Sequence, residues 1–246
     1  MSHGLGEDWW RIEEDLSEIA RYYEEGNRLI SLGQVGRLRR EALAMGMSRP
    51  GMLLDAGCGP GNMSELALSM HPGSEVVMLD PLPEMLKLAR LRVRSEAAHE
   101  VRAVYEDLPF RAGSFNIYVA GFSLRDALDR TAAVAEARRV LREGGNMLVL
   151  DLGKPDSSLR RSLIYAYWRF FVPFLLVVFM GRRGRAYRDI FLTVKKLPAN
   201  RTMRSIFSHA FGTVRMEERL LGGVLLALAS DGQAVEVGSI SSGRLK

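Results

Sequence analysis

An apolar run that ends in an acid and then carries glycine at every second position, Leu53-Leu54-Asp55-Ala56-Gly57-Cys58-Gly59-Pro60-Gly61, restricts this chain more than any other stretch. With no Cβ at those positions the backbone can turn sharply and approach a small ligand, and a helix is expected to start just beyond. A second acid, Asp80, stands at the tip of the next apolar run, Val76-Val77-Met78-Leu79. A doubly wound sheet places at that tip the carboxylate that holds the two hydroxyls of a ribose. The expected ligand therefore contains a ribose.

A dinucleotide fold uses G-x-G-x-x-G, with a pyrophosphate on the helix N-terminus. Here the glycines run G-x-G-x-G, and an acid stands two residues before the first. This pattern resembles motif I of the class I S-adenosylmethionine (SAM) methyltransferases. SAM has no phosphate and presents a sulfonium, an ammonium and a carboxylate, so an acidic strand tip suits its positive charge. Cys58, the only cysteine, reads as a small packing residue of the loop. One cysteine excludes intramolecular disulfides and thiolate-rich metal sites, and His3, His71, His99 and His209 are not paired at a ligand spacing. No metal is expected.

With 246 residues, 47% of them apolar, the chain can bury one substantial core as a single domain with additions. Its formal net charge of +5 would suit nucleic acid or an anionic membrane. The basic residues are scattered, however, except at Arg37/Arg39/Arg40 and Arg182/Arg183/Arg185/Arg188. No added RNA-binding module is visible, and Ala120-Gly121-Phe122-Ser123 stands where nucleic-acid methyltransferases carry an N-P-P-Y-like tetrapeptide, so nucleic acid is not the expected partner. Glu7, Asp8, Glu13, Glu14 and Asp15 interrupt any apolar core of a signal peptide, which makes the cytoplasm the expected compartment.

Residues 8–45 alternate apolar and charged residues at helical spacing, with Trp9, Ile12, Leu16, Ile19 and Tyr23 on one stripe, until Pro50-Gly51 breaks the pattern. Strands are then expected at 52–56, 75–80, 101–105, 115–121 and 146–152, with helices at 61–70, 83–95 and 127–142 between them. Gly144-Gly145 reads as the C-cap of the last of these helices. Such alternation predicts an α/β, Rossmann-like fold with a mostly parallel sheet and helices on both faces. Thr213–Leu221 and Gly222–Ala229 suit a closing antiparallel hairpin, bringing the sheet to seven strands. The expected organisation is a helical preface at 1–48, a ligand-binding core at 49–156, an apolar helical insertion at 157–210, the hairpin at 211–230 and a loose tail at 231–246.

Further segments resemble the ubiquinone/menaquinone biosynthesis C-methyltransferase family, in that family's order. Tyr23-x-x-x-Asn27-x-x-x-Ser31-Leu32-Gly33 is similar to its N-terminal Y-D-x-x-N-x-x-x-S-x-G signature. Leu108-Pro109-Phe110 with Ser114-Phe115 resembles L-P-F…F-D, and Phe122-Ser123-Leu124-Arg125-Asp126 resembles F-G-[LI]-R-N. Leu150-Asp151-Leu152-Gly153-Lys154-Pro155 resembles L-E-F-S-K-P, Tyr187 to Pro198 is similar to Y-x-Y-L-x-x-S-x-x-x-F-P, and Leu221-Gly222-Gly223-Val224 resembles the closing hairpin. The chain departs from the pattern at Glu24, Asn116 and Asp126, and at Val104, where relatives often carry an acid for the adenine amino group.

The resemblance implies SAM as cofactor and a membrane quinol as acceptor. For SAM it implies Asp55, Gly57, Cys58, Gly59 and Gly61 in the loop, with Asp80, Pro81 and Met85 beside the ribose. Tyr105, Glu106, Asp107 and Leu108 are then expected at the adenine, read through Glu106 or Asp107 and the backbone of Tyr105. A ring carbon becomes nucleophilic once a neighbouring phenol loses its proton, which calls for a base or a fixed cation. Arg125 is expected to be that cation, since it follows the fourth strand and ligand crevices open at strand carboxyl ends. Asp126 either takes the proton or neutralises Arg125, and the first is preferred; Tyr23 completes the catalytic set by resemblance.

Leu163 to Met180 is apolar but contains Arg169 and Pro173, leaving only Phe170–Met180 uninterrupted, too short to cross a bilayer. It reads either as a buried helix pair or as an apolar lid over a polyprenyl tail. In the second case Trp168 lies near the lipid interface and Arg182, Arg183, Arg185 and Arg188 face anionic head groups, giving a peripheral membrane association. Two competing functions stand beside quinol methylation: methyl transfer to another lipid or an amine, such as a phospholipid head group, and a SAM-binding protein without catalysis. The oligomeric state, including a homo-oligomer, stays open.

Overall fold

The computed structural model describes residues 23–181 and 190–231. Two helices, α1 (Tyr23–Ile30) and α2 (Val35–Ala44), precede the sheet. The core alternates β1 (Met52–Ala56), α3 (Asn62–Met70), β2 (Glu75–Leu79), α4 (Pro83–Arg92), β3 (Ala98–Val101), β4 (Phe115–Gly121), α5 (Arg130–Val140) and β5 (Leu141–Leu152). A long helix α6 (Ser158–Met180) follows, then α7 (Ile190–Lys196), α8 (Asn200–Ala210), β6 (Thr213–Arg219) and β7 (Val224–Ser230). The sheet runs β3-β2-β1-β4-β5-β7-β6, with the first five strands parallel and β7 antiparallel to both its neighbours. This is the expected seven-stranded, doubly wound arrangement with its antiparallel close.

Strand alternation sorts the apolar residues onto two faces. Leu54, Ala56, Tyr118 and Ala120 pack under α5 and α8 through Ala133, Ala137, Met203 and Phe207. Leu53, Ile117, Val119 and Leu148 pack under α2, α3 and α4 through Leu38, Leu43, Met63, Ala67 and Ala89. Both faces being covered, the strands read as nearly continuous apolar runs. A third cluster joins Ile164, Trp168, Val172, Leu176 and Met180 of α6 to Val194 of α7.

The structure moves several expected boundaries. The third strand is Ala98–Val101 rather than 101–105, because its register follows Val76 to Leu79 of β2; Val104 beyond it makes only an isolated bridge to Asp107. Gly144-Gly145 does not cap α5, which ends at Val140; the pair lies inside β5, where the register with β4 slips between Phe115 and Ile117. Pro173 does not cut the apolar segment. A π turn over Tyr167–Phe171, closed by Val172 N–H on Tyr167 O, carries the helix through, and the proline sits where a new α-helical stretch begins. The stripe at Trp9, Ile12, Leu16 and Ile19 lies outside the described residues, as do Arg182, Arg183, Arg185, Arg188 and nearly all of the 231–246 tail.

Candidate active site

The carboxyl ends of β1, β2 and β4 meet at the glycine loop. Gly57 adopts φ +64, and a Cβ there would run into the Tyr105 hydroxyl and Ser123 Cβ, so the turn excludes any larger residue. Gly59 N–H donates to Asp80 Oδ2 at 2.9 Å and Leu82 N–H to Asp80 Oδ1 at 2.9 Å, which aims the second carboxylate at the loop. Each Asp80 oxygen keeps a lone pair for a ribose hydroxyl. Asp55, on the core side of the turn, accepts from Ser64 N–H at 3.1 Å and Ser64 Oγ at 2.6 Å through Oδ2. Its Oδ1 is buried without a hydrogen-bond partner. Burial pushes both carboxyls up to about 6, and for Asp55 the nearby Asp80 charge adds to this. A cationic ligand relieves two buried, mutually repelling carboxylates, so these residues fit SAM.

Of the residues expected at the cofactor, Gly57, Gly59, Asp80, Pro81, Met85 and Tyr105 line one narrow cleft, joined by Leu82, Phe122, Ser123, Arg125 and Asp126. The others stand elsewhere. Cys58 is buried, and its thiol is pushed well up by burial beside Asp55 and Asp80, in keeping with packing. Gly61, at φ +80, lets α3 approach Ala89 and Val93 of α4 and does not line the cleft. Glu106 Oε1 accepts from Asp129 N–H at 3.0 Å, ahead of α5, while Asp107 bridges to Val104. Leu108 is in the core, its N–H on Glu136 Oε2 at 3.0 Å. Tyr105 turns its ring, not only its backbone, inward, with Oη 3.5 Å from Ala56 O. That carbonyl also accepts from Ser123 Oγ at 3.0 Å.

Arg125 is buried in a 3-10 turn just beyond β4. Its N–H donates to Asp151 Oδ2 at 2.8 Å and its Nη1 to Asp151 Oδ1 at 3.2 Å; Nη1 also donates to Phe122 O, and Nη2 stands 3.5 Å from Asp126 Oδ2. Arg130 Nη2 donates to Arg125 O at 2.7 Å, locking the turn from below. Two guanidinium groups thus face two carboxylates in the interior. Asp126 is pushed up to about 6, chiefly by burial, with Arg125 pulling down and Asp151 pushing up. Asp151 and Arg130 did not stand out in the sequence as site residues. Asp151 lies near the carboxyl end of its strand as Asp55 and Asp80 do, which is the signal that could have found it.

A second, apolar cavity of about 380 Å³ opens beside the cleft, lined from α1, α2, α6 and the turn before β7. Phe122 and Arg125 line both spaces, while Asp126 faces the cleft alone. Asn27, Ser31 and Leu32, then Phe122 and Arg125, Leu152, and Leu221, Gly223 and Val224 all come from the segments that carry the sequence resemblance, and all line this cavity. Tyr23 opens α1, but its side chain lies outside the described residues. Trp168 is buried in the cavity wall, packed with Val172 and Leu176, rather than exposed as a position near a lipid interface requires. Asn116 stands at the opposite end of β4, where Oδ1 accepts Met52 N–H at 3.0 Å and ties β1 to β4. Its departure from the acid is structural.

Comparison with solved structures finds the same fold. A chain of the complex between the Haloferax volcanii Trm112 methyltransferase activator and a methyltransferase superposes with a TM-score of 0.64 at 14% identity, covering 89% of this chain and 98% of that one. A SAM-dependent methyltransferase structure from Methanococcus maripaludis gives 0.61 at 17% identity, over 89% and 95%. Among sequences, the demethylmenaquinone methyltransferase of Thermus thermophilus is 33% identical, over 82% of this chain and 93% of its own. A ubiquinone/menaquinone biosynthesis C-methyltransferase of a Geobacter species is 30% identical, over 90% and 96%. The model of the ubiE/COQ5 methyltransferase family matches residues 6–230. With the glycine loop, its paired carboxylates and this match in agreement, the chain is a SAM-dependent methyltransferase and belongs to the ubiE/COQ5 methyltransferase family.

Proposed function

We propose that this enzyme methylates a ring carbon of a membrane quinol, of the demethylmenaquinol or ubiquinol-precursor type. One observation carries the reading: an apolar cavity abuts the cofactor cleft, and a buried guanidinium, Arg125, lines both. SAM, when bound, supplies an electrophilic methyl group. The protein's part is to align the acceptor, exclude water and manage a phenolic proton.

Arg125 stabilises the phenolate, and its Asp151 bonds hold the guanidinium at the boundary between the two spaces. Asp126, with a carboxyl near 6, is ionised at neutral pH and basic enough to take the proton there. Tyr23 is the third member proposed. An amine acceptor is disfavoured, since the same guanidinium would repel a cation. The placement of Asn116 away from the site removes one reason to suspect a catalytically silent protein. A quinol acceptor also implies a cytoplasmic protein that associates peripherally with the membrane.

Labelled SAM supplied with a membrane lipid extract tests the proposal. The label is expected in a quinol, on a ring carbon. Label in a phospholipid head group, or in no lipid at all, overturns it.

A further inference from the structure

Among the described residues, four that are not glycine hold left-handed backbone: Leu32, Phe122, Leu220 and Leu221, at φ of +51, +60, +49 and +59. All four line the apolar cavity. Side chains at such φ are strained, and strain persists where surrounding structure enforces it, commonly at ligand sites. Phe122 faces the cofactor cleft. The three leucines do something else: Leu32 is 59% and Leu221 58% exposed, and Leu220 is exposed as well, so the strain holds apolar side chains out toward water.

The cavity's remaining wall belongs to α6, and Leu163 of that helix is exposed at the same opening. Tyr167 lines this cavity and also a shallow groove formed with Phe170, Phe171 and Phe174 on the helix exterior. Phe170 and Phe174 of the groove, and Val178 and Phe179 beyond it, are more than half exposed. The helix is long and apolar enough by length and composition to cross a membrane, yet only 28% of its most apolar window is buried in the protein. It is therefore not the buried helix pair of the sequence reading. Exposed apolar side chains thus extend from the outer face of α6, by way of Tyr167, to the leucine rim of the cavity. α6 itself carries Arg160, Arg161 and Arg169 and no acid; Arg160 is ion-paired with Glu218 at 3.6 Å, and Arg169 stands exposed beside the Phe170 ring.

We propose that the rim leucines and the outer face of α6 dock on an anionic lipid leaflet, so that the cavity opens directly into the acyl layer. The helix lies in the interface and does not span, because its other face is committed to the Ile164, Trp168, Val172 and Leu176 cluster. Lipid rather than a second copy is the occupant, because the surface is continuous with a cavity of acceptor size and the charges that α6 itself carries are all basic. This rests on the reading of that cavity as the acceptor site, and it makes a specific surface, not general basicity, responsible for binding.

The experiment compares wild type with Phe174→Gln/Phe179→Gln, two exposed positions that do not line the cavity, and with Leu221→Gly. Glycine adopts the required φ without strain, so the last variant keeps its fold. Flotation with vesicles of phosphatidylglycerol and phosphatidylcholine is expected to show wild type bound, with a remainder that persists in high salt. Both variants should bind at least about tenfold more weakly. Turnover of the double variant is expected to match wild type on a tail-less, water-soluble quinol and to fall on a long-tailed quinol carried in vesicles. Variants that float like wild type overturn the proposal. So does a wild type that fails to float and sediments as a dimer that the double variant converts to monomer. Wild-type flotation with no methylation of any quinol leaves the docking surface standing and removes the acceptor reading instead.

Discussion

Replacing Asp126 by Asn tests the proton-transfer step at a single atom. Wild-type Asp126 sits in the interior with its carboxyl pushed to about 6 from 3.8, mainly by burial. If it is the base, the rate follows its ionised fraction, roughly 0.9 at pH 7 and roughly 0.1 at pH 5, a fall of about ninefold across that window. Asn keeps the shape and cannot accept the proton, so turnover at pH 7 is expected to drop by about 10²- to 10³-fold. The step near pH 6 should vanish with it. The assay measures methylated product from pH 5 to 8 at saturating SAM, because Asp80 titrates in the same window and would otherwise imprint its own step through cofactor affinity. A urea unfolding curve of the variant, measured alongside, separates a lost base from a lost fold. Asn removes the burial cost of the carboxylate, and Arg125 keeps its two bonds to Asp151. Unchanged turnover, or a step near pH 6 that survives the substitution, refutes the assignment and leaves Asp126 as a counter-charge to Arg125.

Two further outcomes concern the cofactor cleft. The affinity for SAM should weaken about tenfold from pH 7 to pH 5 as Asp80 takes up its proton and loses acceptor strength toward the ribose; titration calorimetry showing a flat profile contradicts this. Gly57→Ala forces a side chain into φ +64 and against Tyr105 and Ser123, so calorimetry should detect no SAM binding and urea unfolding should show a loss of at least about 2 kcal/mol.

What was legible in the sequence was local. The glycine loop and the acids Asp55 and Asp80 depend on a turn geometry that neighbouring residues dictate, and β1 and β4 follow from apolar runs bounded by breakers. Features set by a distant partner were not legible. β3 takes its limits from the register with β2, not from the apolar run at 101–105. The local sequence offers Arg125 the neighbouring acids Asp126 and Asp129, yet its main partner is Asp151, which reaches it only because β4 and β5 are neighbours in the sheet. Glu106 and Asp107 are acids at a plausible spacing for adenine, but Glu106 is engaged with the backbone ahead of α5. Pro173 signals a helix end by its chemistry, and a π turn, invisible to periodicity, absorbs it.

The energetic cost of this fold is concentrated at the candidate cofactor cleft and its surroundings. Asp55, Asp80 and Asp126 are each raised to about 6, and all belong to the cleft or its floor. A group whose native pKa lies above its unfolded value binds more protons folded than unfolded between the two, so stability falls as pH rises from about 4 to about 6. Glu41, Glu136 and Glu217 are held below their ordinary range, chiefly by Arg37, Arg139 and Arg219, and lose their contribution in acid. The ligand-free protein should therefore melt highest at about pH 4, lower than the usual optimum. Bound SAM places positive charge beside the two acids of the loop, and it stabilises the ionised forms. Its presence should move the melting optimum toward pH 7, as fluorimetric scans with and without SAM can record. A ligand-free melting temperature that climbs steadily from pH 5 to 7 would mean that the carboxylates are already solvated or paired, and that the site holds no charge strain for the cofactor to relieve.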